Sequence, residues 1–163
     1  LGTPLKLEKN EIAIFEGIHA LNDDIAGRHP EAAKLYISAR SNINEGAVLR
    51  FKGTWMRLTR RAVRDYSFRG TGVAQTLAMW ANVRRGEKLY ISPYKDTAHI
   101  KFDTALAYEA PVMACYAKPL MEAVPGENQR RGELLQLVAA LDRFEPIDPG
   151  LVPPESLLHE FIG

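Results

Sequence analysis

The sequence alternates short apolar runs with longer segments of helical periodicity, and this alternation constrains the fold more than any other feature. The apolar runs have the length and composition of buried strands, and each ends at polar or turn-forming residues. Strands that alternate with helices usually form a parallel sheet with helices packed on its faces. We therefore predict an α/β fold whose strands are residues 12–15, residues 34–39 and the segment AHIKFDTAL, which begins at Ala98.

Four segments have apolar residues at the spacing of an α-helix. The first is residues 54–68, with Thr54 as its N-cap, and the second is residues 73–85, which Gly86 is expected to end. The third covers residues 105–115, and the last lies within PGENQRRGELLQLVAALDRFEPI. The predicted core faces are Val73, Leu77 and Trp80 in the second helix and Leu134, Leu137, Val138 and Leu141 in the last.

The composition excludes several classes of protein. With 163 residues the chain is long enough for one domain, and its 46% hydrophobic and 25% charged residues are ordinary globular values. No apolar run approaches the ~20 residues that a transmembrane helix needs, so no membrane partner is expected. The single cysteine, Cys115, can form neither an intramolecular disulfide nor a metal cluster, which favours a reduced, cytoplasmic setting.

One short segment is strongly basic, although the whole chain carries a formal net charge of only +1. Between Arg50 and Gly70, seven basic residues accompany a single acidic residue, Asp65. At ~100° per residue of an α-helix, four of these arginines fall within an arc of about 100°. They are Arg57, Arg60, Arg61 and Arg64, and the opposite face carries Trp55, Leu58, Ala62 and Tyr66. We therefore predict an amphipathic helix whose polar face is purely cationic.

The cationic face needs an explanation, because like charges three or four residues apart on a helix repel each other by a few tenths of a kcal/mol per pair. An anionic partner would compensate for this repulsion, and arginine suits phosphate oxygens because it binds them bidentately. The alternative is a solvated basic face, although such a face would normally include lysine and glutamate. Phosphate binding is the preferred hypothesis, and the spacing does not distinguish a nucleotide from a nucleic-acid backbone.

Several segments together resemble one family of kinases. RLTRRAVRD, residues 57–65, looks like the lid-helix motif of the uridine kinase and phosphoribulokinase-like family. IFEGIHALN, residues 14–22, is similar to a strand of that family that ends in Glu-Gly-Ile, most closely in a bacterial branch of nucleoside kinases. The segments DYSFRG, MWANVRRGE, FDTALAYE and LLHEFIG also match that branch. The resemblance covers most of the chain, and the order and spacing of the motifs make it specific.

The resemblance implies a P-loop kinase-like fold, a parallel sheet flanked by helices with a helical lid, that uses ATP and Mg²⁺ to phosphorylate a nucleoside. Such kinases hold the phosphates with a G-x-x-x-x-G-K-[ST] loop, and this sequence contains no such loop. The family's aspartate base also has no counterpart. We therefore expect residues 1–145 to be the C-terminal portion of a kinase domain and residues 146–163 to be a proline-rich tail that docks on it.

The resemblance implies catalytic roles at two places. Glu16 ends the first predicted strand, at the edge where α/β sheets bind ligands, and would act in catalysis and as a ligand of Mg²⁺. The alternative for Glu16 is an exposed carboxylate at a strand end. Arg57 and Arg61 would be lid arginines that close over the ATP phosphates and stabilise charge on the transferred group.

The resemblance also implies binding roles. Arg60, Arg64 and Lys95 would bind ATP, although Arg64 could instead pair with Asp65 or another carboxylate. Three further residues would contact the nucleoside, namely His19, Arg69 and Arg85. The alternatives are a structural role for His19 and simple solvation for Arg69. Trp80 is expected in the core rather than as a platform for base stacking.

The expected partners follow from these assignments. They are the nucleoside, ATP and the missing N-terminal part of the same protein, without which the isolated chain should be inactive. An unpaired edge of a truncated sheet would also permit a homo-oligomer. The near-neutral net charge argues against nucleic acid as a partner. The alternative function, from another class, is a non-catalytic phosphate- or RNA-binding module that uses the basic helix.

Overall fold

The computed structural model, which describes residues 6–163, contains both helices and a small parallel pair of strands, and the α/β class is confirmed. The helices are α1 (Asp23–Ala26), α2 (Gly53–Arg69), α3 (Val73–Tyr90), α4 (Glu109–Glu122), α5 (Arg131–Leu141) and α6 (His159–Ile162). The strands are β1 (Leu35–Ser38), β2 (Ile43–Glu45), β3 (Val48–Phe51) and β4 (Ile100–Asp103). Two short 3₁₀ helices are Ser92–Thr97 and Pro149–Leu151. The strands predicted at residues 34–39 and in AHIKFDTAL are therefore confirmed as β1 and β4.

The strands form two separate two-stranded sheets. β1 and β4 run parallel, because the amide of Ile100 donates to Lys34 O and the amide of Thr104 donates to Ser38 O. β2 and β3 form an antiparallel hairpin that turns at Gly46, whose φ is 59°. The hairpin register is Ile43↔Phe51, Asn44↔Leu49 and Glu45↔Val48. Within residues 6–163 no sheet is larger, so the more extensive parallel sheet expected of a P-loop kinase-like fold is not seen there.

The described chain forms two compact units. The first unit consists of Gly86–Lys101 together with the described residues up to Tyr36. The second unit consists of Ile37–Arg85 and Phe102–Gly163. The backbone passes from one unit to the other within β1, α3 and β4, so these three elements contribute residues to both.

The second unit has a hydrophobic core built mainly by helices. α2 packs against α4 and α6, and α4 packs against α5. Phe51, at the end of β3, is 1% exposed, and its ring meets Trp55 and Phe144 edge-on at centroid distances of 5.6 and 5.9 Å. The predicted core faces are confirmed, since all their residues are buried: Val73, Leu77, Trp80, Leu134, Leu137, Val138 and Leu141.

The C-terminal segment belongs to the same core. Val152, Leu158 and Phe161 are buried in it, and α6 packs on α2. The division of the chain at residue 145 stays a prediction. None of the described helices has both the length and the apolar character needed to cross a membrane.

The first predicted strand does not form. Residues 11–16 have no regular secondary structure, and Ile12, Ile14 and Phe15 are 87%, 87% and 80% exposed. The prediction of a buried strand at residues 12–15 is therefore wrong for this structure. An apolar run becomes a strand only when a neighbouring strand accepts and donates its backbone hydrogen bonds, and that partner is not specified by the run itself.

Helix ends also differ from the predictions. α2 begins at Gly53 with Lys52 as its N-cap, so the assignment of Thr54 as N-cap is wrong. α3 continues through Gly86 to Tyr90, and the prediction that Gly86 ends the helix is wrong as well. A glycine inside a helix costs only about 1 kcal/mol relative to alanine, which a packed helix tolerates. The third predicted helix, α4, begins at Glu109 rather than at residue 105.

Candidate phosphate-binding site

The candidate site lies on α2, in the second unit. The buried stripe of this helix consists of Met56, Leu58, Ala62 and Val63. Because these apolar residues lie on one side of the helix at ~100° per residue, the opposite face is directed to solvent. That face carries the side chains of Arg61 and Arg64, which are 28% and 21% exposed, and the half-buried Arg57.

Asp65 is the centre of the charged cluster on α2. Its carboxylate oxygens lie 3.4 Å from Arg61 Nε, 3.2 Å from Arg64 Nη2 and 3.2 Å from Arg69 Nη1. Asp65 is only 3% exposed, whereas the Arg69 side chain is 54% exposed. One enclosed carboxylate therefore holds three guanidinium groups close to the surface. Arg64 makes the contact with Asp65 that its alternative describes, since its Nη2 donates to Asp65 Oδ1.

The cluster keeps an excess of positive charge. Glu160 of α6 supplies a second carboxylate, whose Oε1 lies 3.8 Å from Arg64 Nη1, so three guanidinium groups share two carboxylates. Although Arg61 Nε lies near Asp65, it is a buried donor with no hydrogen-bond acceptor among residues 6–163. The cluster can therefore attract an anion, and the planar guanidinium groups match the oxygens of a phosphate.

Arg60 is held in the core rather than on the cationic face. Its Nη2 donates to Glu109 Oε2 at 2.7 Å and to Thr104 O at 2.9 Å, and its Nε donates to Glu109 Oε1. Arg60 is 8% exposed and Glu109 is fully buried. The prediction of a purely cationic face is therefore corrected, because Arg60 lies at the edge of that face, beside the apolar stripe, and turns inward to a carboxylate.

Asp103, at the end of β4, orders the backbone next to this buried ion pair. It accepts hydrogen bonds from the amides of Arg40 and Ala105, at 3.1 and 2.9 Å, and from Ser41 Oγ at 2.5 Å. Burial alone would raise the pKa of the Asp103 carboxyl, but these hydrogen bonds stabilise the carboxylate and together lower its pKa below the ordinary value. The charged form of Asp103 thereby holds Ser41 and the amide of Ala105, the residue after Thr104.

The remaining candidates belong to other segments of the chain. Glu16 and His19 are exposed in the irregular segment of the first unit, and Lys95 is half-buried in the 3₁₀ helix Ser92–Thr97 of the same unit. Asn22 Nδ2 lies 3.5 Å from His19 Nδ1. Arg85 is exposed on α3, in the second unit.

Of the predicted residues, the structure brings Arg61, Arg64 and Arg69 together, with Arg57 on the same helix. The central role of Asp65 was not predicted, although its spacing of four from Arg61 and from Arg69 is a recognised signal for ion pairs on a helix. Glu109 was not predicted either, because it meets Arg60 from 49 residues away and no local pattern could reveal it.

The described residues provide no preformed metal site. No group of three or more histidine, cysteine, aspartate or glutamate side chains within residues 6–163 is arranged to hold a metal ion. Mg²⁺ in kinases is usually held by one or two carboxylates, by the substrate phosphates and by water, so a single carboxylate such as Glu16 remains compatible with this ion.

Comparisons with protein-family models, with curated proteins and with solved structures found no match to this chain.

Proposed function

We propose that this chain is part of an ATP-dependent nucleoside kinase of the uridine kinase-like type, and that α2 is its phosphate-binding lid helix. The observation that carries the proposal is the arginine cluster around Asp65, where three guanidinium groups share one enclosed carboxylate and the exposed Glu160. Two carboxylates leave one of the three guanidinium charges uncompensated, and a bound anion would relieve the repulsion between like charges at this spacing.

The role of Asp65 in this proposal is to order the arginines before the phosphates arrive. Holding a long side chain in one conformation costs conformational entropy, and Asp65 makes that cost part of folding rather than of binding. Arg61 and Arg57 would then stabilise the charge on the transferred phosphoryl group, while Arg64 and Arg69 would contact other phosphate oxygens or the nucleoside. Phosphoryl transfer depends mainly on such positioning and electrostatic stabilisation.

The resemblance implies that Arg60 binds ATP, but we propose a structural role for it. Its hydrogen bonds to Glu109 and Thr104 leave it little capacity to bind ATP. We propose that Arg60 holds α2 against α4. The backbone of α2, from which the exposed arginines extend, is then fixed in position. Lys95, His19 and Arg85 remain proposed ligand contacts, and Glu16 remains the proposed ligand of Mg²⁺.

The proposed kinase needs a phosphate-binding loop, which this sequence does not contain. The proposal therefore includes a further polypeptide segment of the same protein that supplies the loop and the catalytic base, and with it the rest of a P-loop kinase-like sheet. The 163-residue chain alone should show negligible transfer of phosphate from ATP to uridine. Measurable turnover by the isolated chain would contradict this part of the proposal.

The test uses the product of the complete gene, ATP with Mg²⁺, and a panel of nucleosides that includes uridine and cytidine. We expect transfer of the γ-phosphate to at least one nucleoside, and we expect Arg61→Gln to lower kcat by about 10²–10³-fold, as for other groups that stabilise transition-state charge. Arg143→Gln, which changes an exposed arginine outside the cluster, should leave kcat unchanged. Absence of transfer to every nucleoside, or equal activity of Arg61→Gln, would refute the kinase assignment.

A salt titration separates the kinase from the alternative, a non-catalytic RNA-binding module. Binding through several nucleic-acid phosphates weakens steeply with salt, because each contact releases a condensed counterion. If single-stranded RNA bound tightly with such a salt dependence while ATP did not bind, the alternative would replace the kinase.

A further inference from the structure

An exposed phenyl ring lies on the cationic face of α2. Phe68 is in the last turn of this helix and is 56% exposed. At ~100° per residue, its direction from the helix axis falls between those of Arg61 and Arg64. The buried apolar stripe of α2 lies on the other side of the helix. An amphipathic helix normally carries polar residues on its solvent face, so Phe68 departs from the pattern.

The ring of Phe68 borders the arginine cluster. Side chains of an α-helix point back toward its N-terminus, so Phe68 extends over the preceding turn, which carries Arg64 four residues earlier. Arg64 and Arg69, the residue after Phe68, both contact the Asp65 carboxylate at 3.2 Å. An apolar ring and guanidinium groups with an excess of positive charge are therefore neighbours on one surface.

The backbone around Phe68 is well ordered. Gly70 ends α2 in the left-handed conformation, with a φ of 61°, and the amides of Gly70 and Thr71 both donate to Asp65 O. The tip of the ring lies beside the residue after α6, since a Cβ on Gly163 would be 3.6 Å from Phe68 Cζ. The ring thus has a neighbour at its tip, although more than half of the residue stays exposed.

Tyr66 shows why the position of Phe68 matters more than its exposure. Single exposed aromatic residues are common on protein surfaces, and Tyr66 is one of them, with 54% exposure. Its direction on α2 is about 140–160° away from those of Arg61 and Arg64. Phe68 is equally exposed but lies on the arginine face.

The two features together match the two parts of a nucleotide. Guanidinium groups bind phosphate oxygens, and an exposed aromatic ring offers a surface on which a base stacks. The seven residues from Arg61 to Phe68 extend about 10 Å along the helix axis, which is comparable with the length of an extended nucleotide. Inorganic polyphosphate, in contrast, would use the arginines alone.

We propose that the ring of Phe68 stacks on the base of the nucleotide whose phosphates bind to the arginine cluster. This rests on the proposed function, because it takes the phosphate site on α2 as given. It adds the residue that distinguishes a nucleotide from an inorganic polyphosphate at that site. Every base has a π-face, so Phe68 contributes affinity for the base without selecting among bases.

The experiment compares ATP with inorganic tripolyphosphate, which has the phosphates without the base. Dissociation constants are measured from the shifts of the arginine Nε–H signals of the chain during separate titrations. Phe68→Ala should weaken binding of ATP by about 5–100-fold, the range for loss of one stacked base, and should change binding of tripolyphosphate less than twofold. The adenine H2 and H8 signals of ATP should shift upfield with the unchanged chain and not with Phe68→Ala.

Two further variants control for effects on folding. Tyr66→Ala removes an equally exposed ring from the other side of α2 and should leave both dissociation constants unchanged. Phe68→Trp keeps an aromatic surface and should retain the affinity for ATP. Adenosine should not show the upfield shift, because stacking alone does not offset the entropy lost on binding.

The outcomes separate this inference from the proposed function. If ATP binds to Phe68→Ala as tightly as to the unchanged chain, or if tripolyphosphate binding weakens equally, the stacking role is refuted while the phosphate site stands. An equal loss of ATP affinity in Tyr66→Ala would refute it as well. If neither ATP nor tripolyphosphate shifts the arginine signals, both the site and the inference fail. Binding of a short single-stranded RNA that depends on Phe68, without binding of ATP, would also overturn the inference.

Discussion

Arg60 and Arg61 are neighbours in the sequence, yet their side chains lie in different environments. Arg60 is 8% exposed and bound to Glu109, whereas the Arg61 side chain is 28% exposed and lies at the Asp65 cluster. The sequence predicts correctly that Arg57, Arg61 and Arg64 share one face of α2, because a helix turns by ~100° per residue. It could not predict which arginine turns inward, since that depends on a carboxylate brought in by another helix.

The buried pair of Arg60 and Glu109 can be measured by a double-mutant cycle. Arg60→Leu should lower the free energy of unfolding by about 3–5 kcal/mol, because it leaves the Glu109 charge buried without its partner. The double variant Arg60→Leu with Glu109→Leu should recover much of this loss, since an apolar pair can replace a buried ion pair at little cost. Urea denaturation measures the change in the free energy of unfolding for each of the two single variants and for the double variant. A loss in the double variant equal to the sum of the two single losses would contradict a direct coupling.

The lowered pKa of Asp103 predicts a pH dependence of stability. Its pKa in the folded state lies below the ordinary value of about 3.9 that it has in the unfolded chain. The stabilisation is therefore present above about pH 4 and is lost as the pH falls through the folded pKa. Asp103→Asn should remove this part of the acid-induced decline in the urea midpoint, while the exposed control Asp24→Asn should retain it. If the urea midpoint of Asp103→Asn fell with decreasing pH as steeply as that of the unchanged protein, the result would contradict the role of Asp103.

At the scale of elements, local patterns succeeded where an element depends on its own residues. α2, α3 and α5 follow from apolar residues spaced three and four apart, and the buried faces of α3 and α5 are those predicted. The predicted apolar face of α2 is only partly correct, because Leu58 and Ala62 are buried but Tyr66 is 54% exposed. The hairpin of β2 and β3 is not among the predicted elements, because its strands are too short to show a pattern. The strand predicted at residues 12–15 failed for the opposite reason, since its pattern is clear but its pairing partner is not specified locally.

Two glycines make a matched test of how α2 and α3 are built. A Cβ on Gly53 would lie 2.4 Å from the carbonyl oxygen of Arg40, so Gly53→Ala should lower stability by about 1–3 kcal/mol through overpacking at the start of α2. A Cβ on Gly86, within α3, meets nothing within 4 Å, so Gly86→Ala should raise stability by about 0.5–1 kcal/mol. Thermal or urea denaturation measures both. Equal effects of the two substitutions would show that the start of α2 is not closely packed.

At the scale of the whole molecule, the sequence predicted the α/β class but not the extent of the sheet. The apolar content needed for a core is present, and the second unit uses it. The first unit contains strand-like residues whose partners do not occur among residues 6–163, so the two-stranded sheets are smaller than the alternation of elements suggested. Pairing over long distances in sequence is what single-sequence patterns specify least.

The central claim is that the arginines around Asp65 bind the phosphates of a nucleotide. It is tested most directly by NMR of the arginine Nε–H groups of the chain during separate titrations with ATP and with adenosine. We predict that the signals of Arg61, Arg64 and Arg69 shift saturably with ATP and remain unchanged with adenosine, because the contact is to phosphate. Signals that do not move with ATP, or that move equally with adenosine, would contradict the claim.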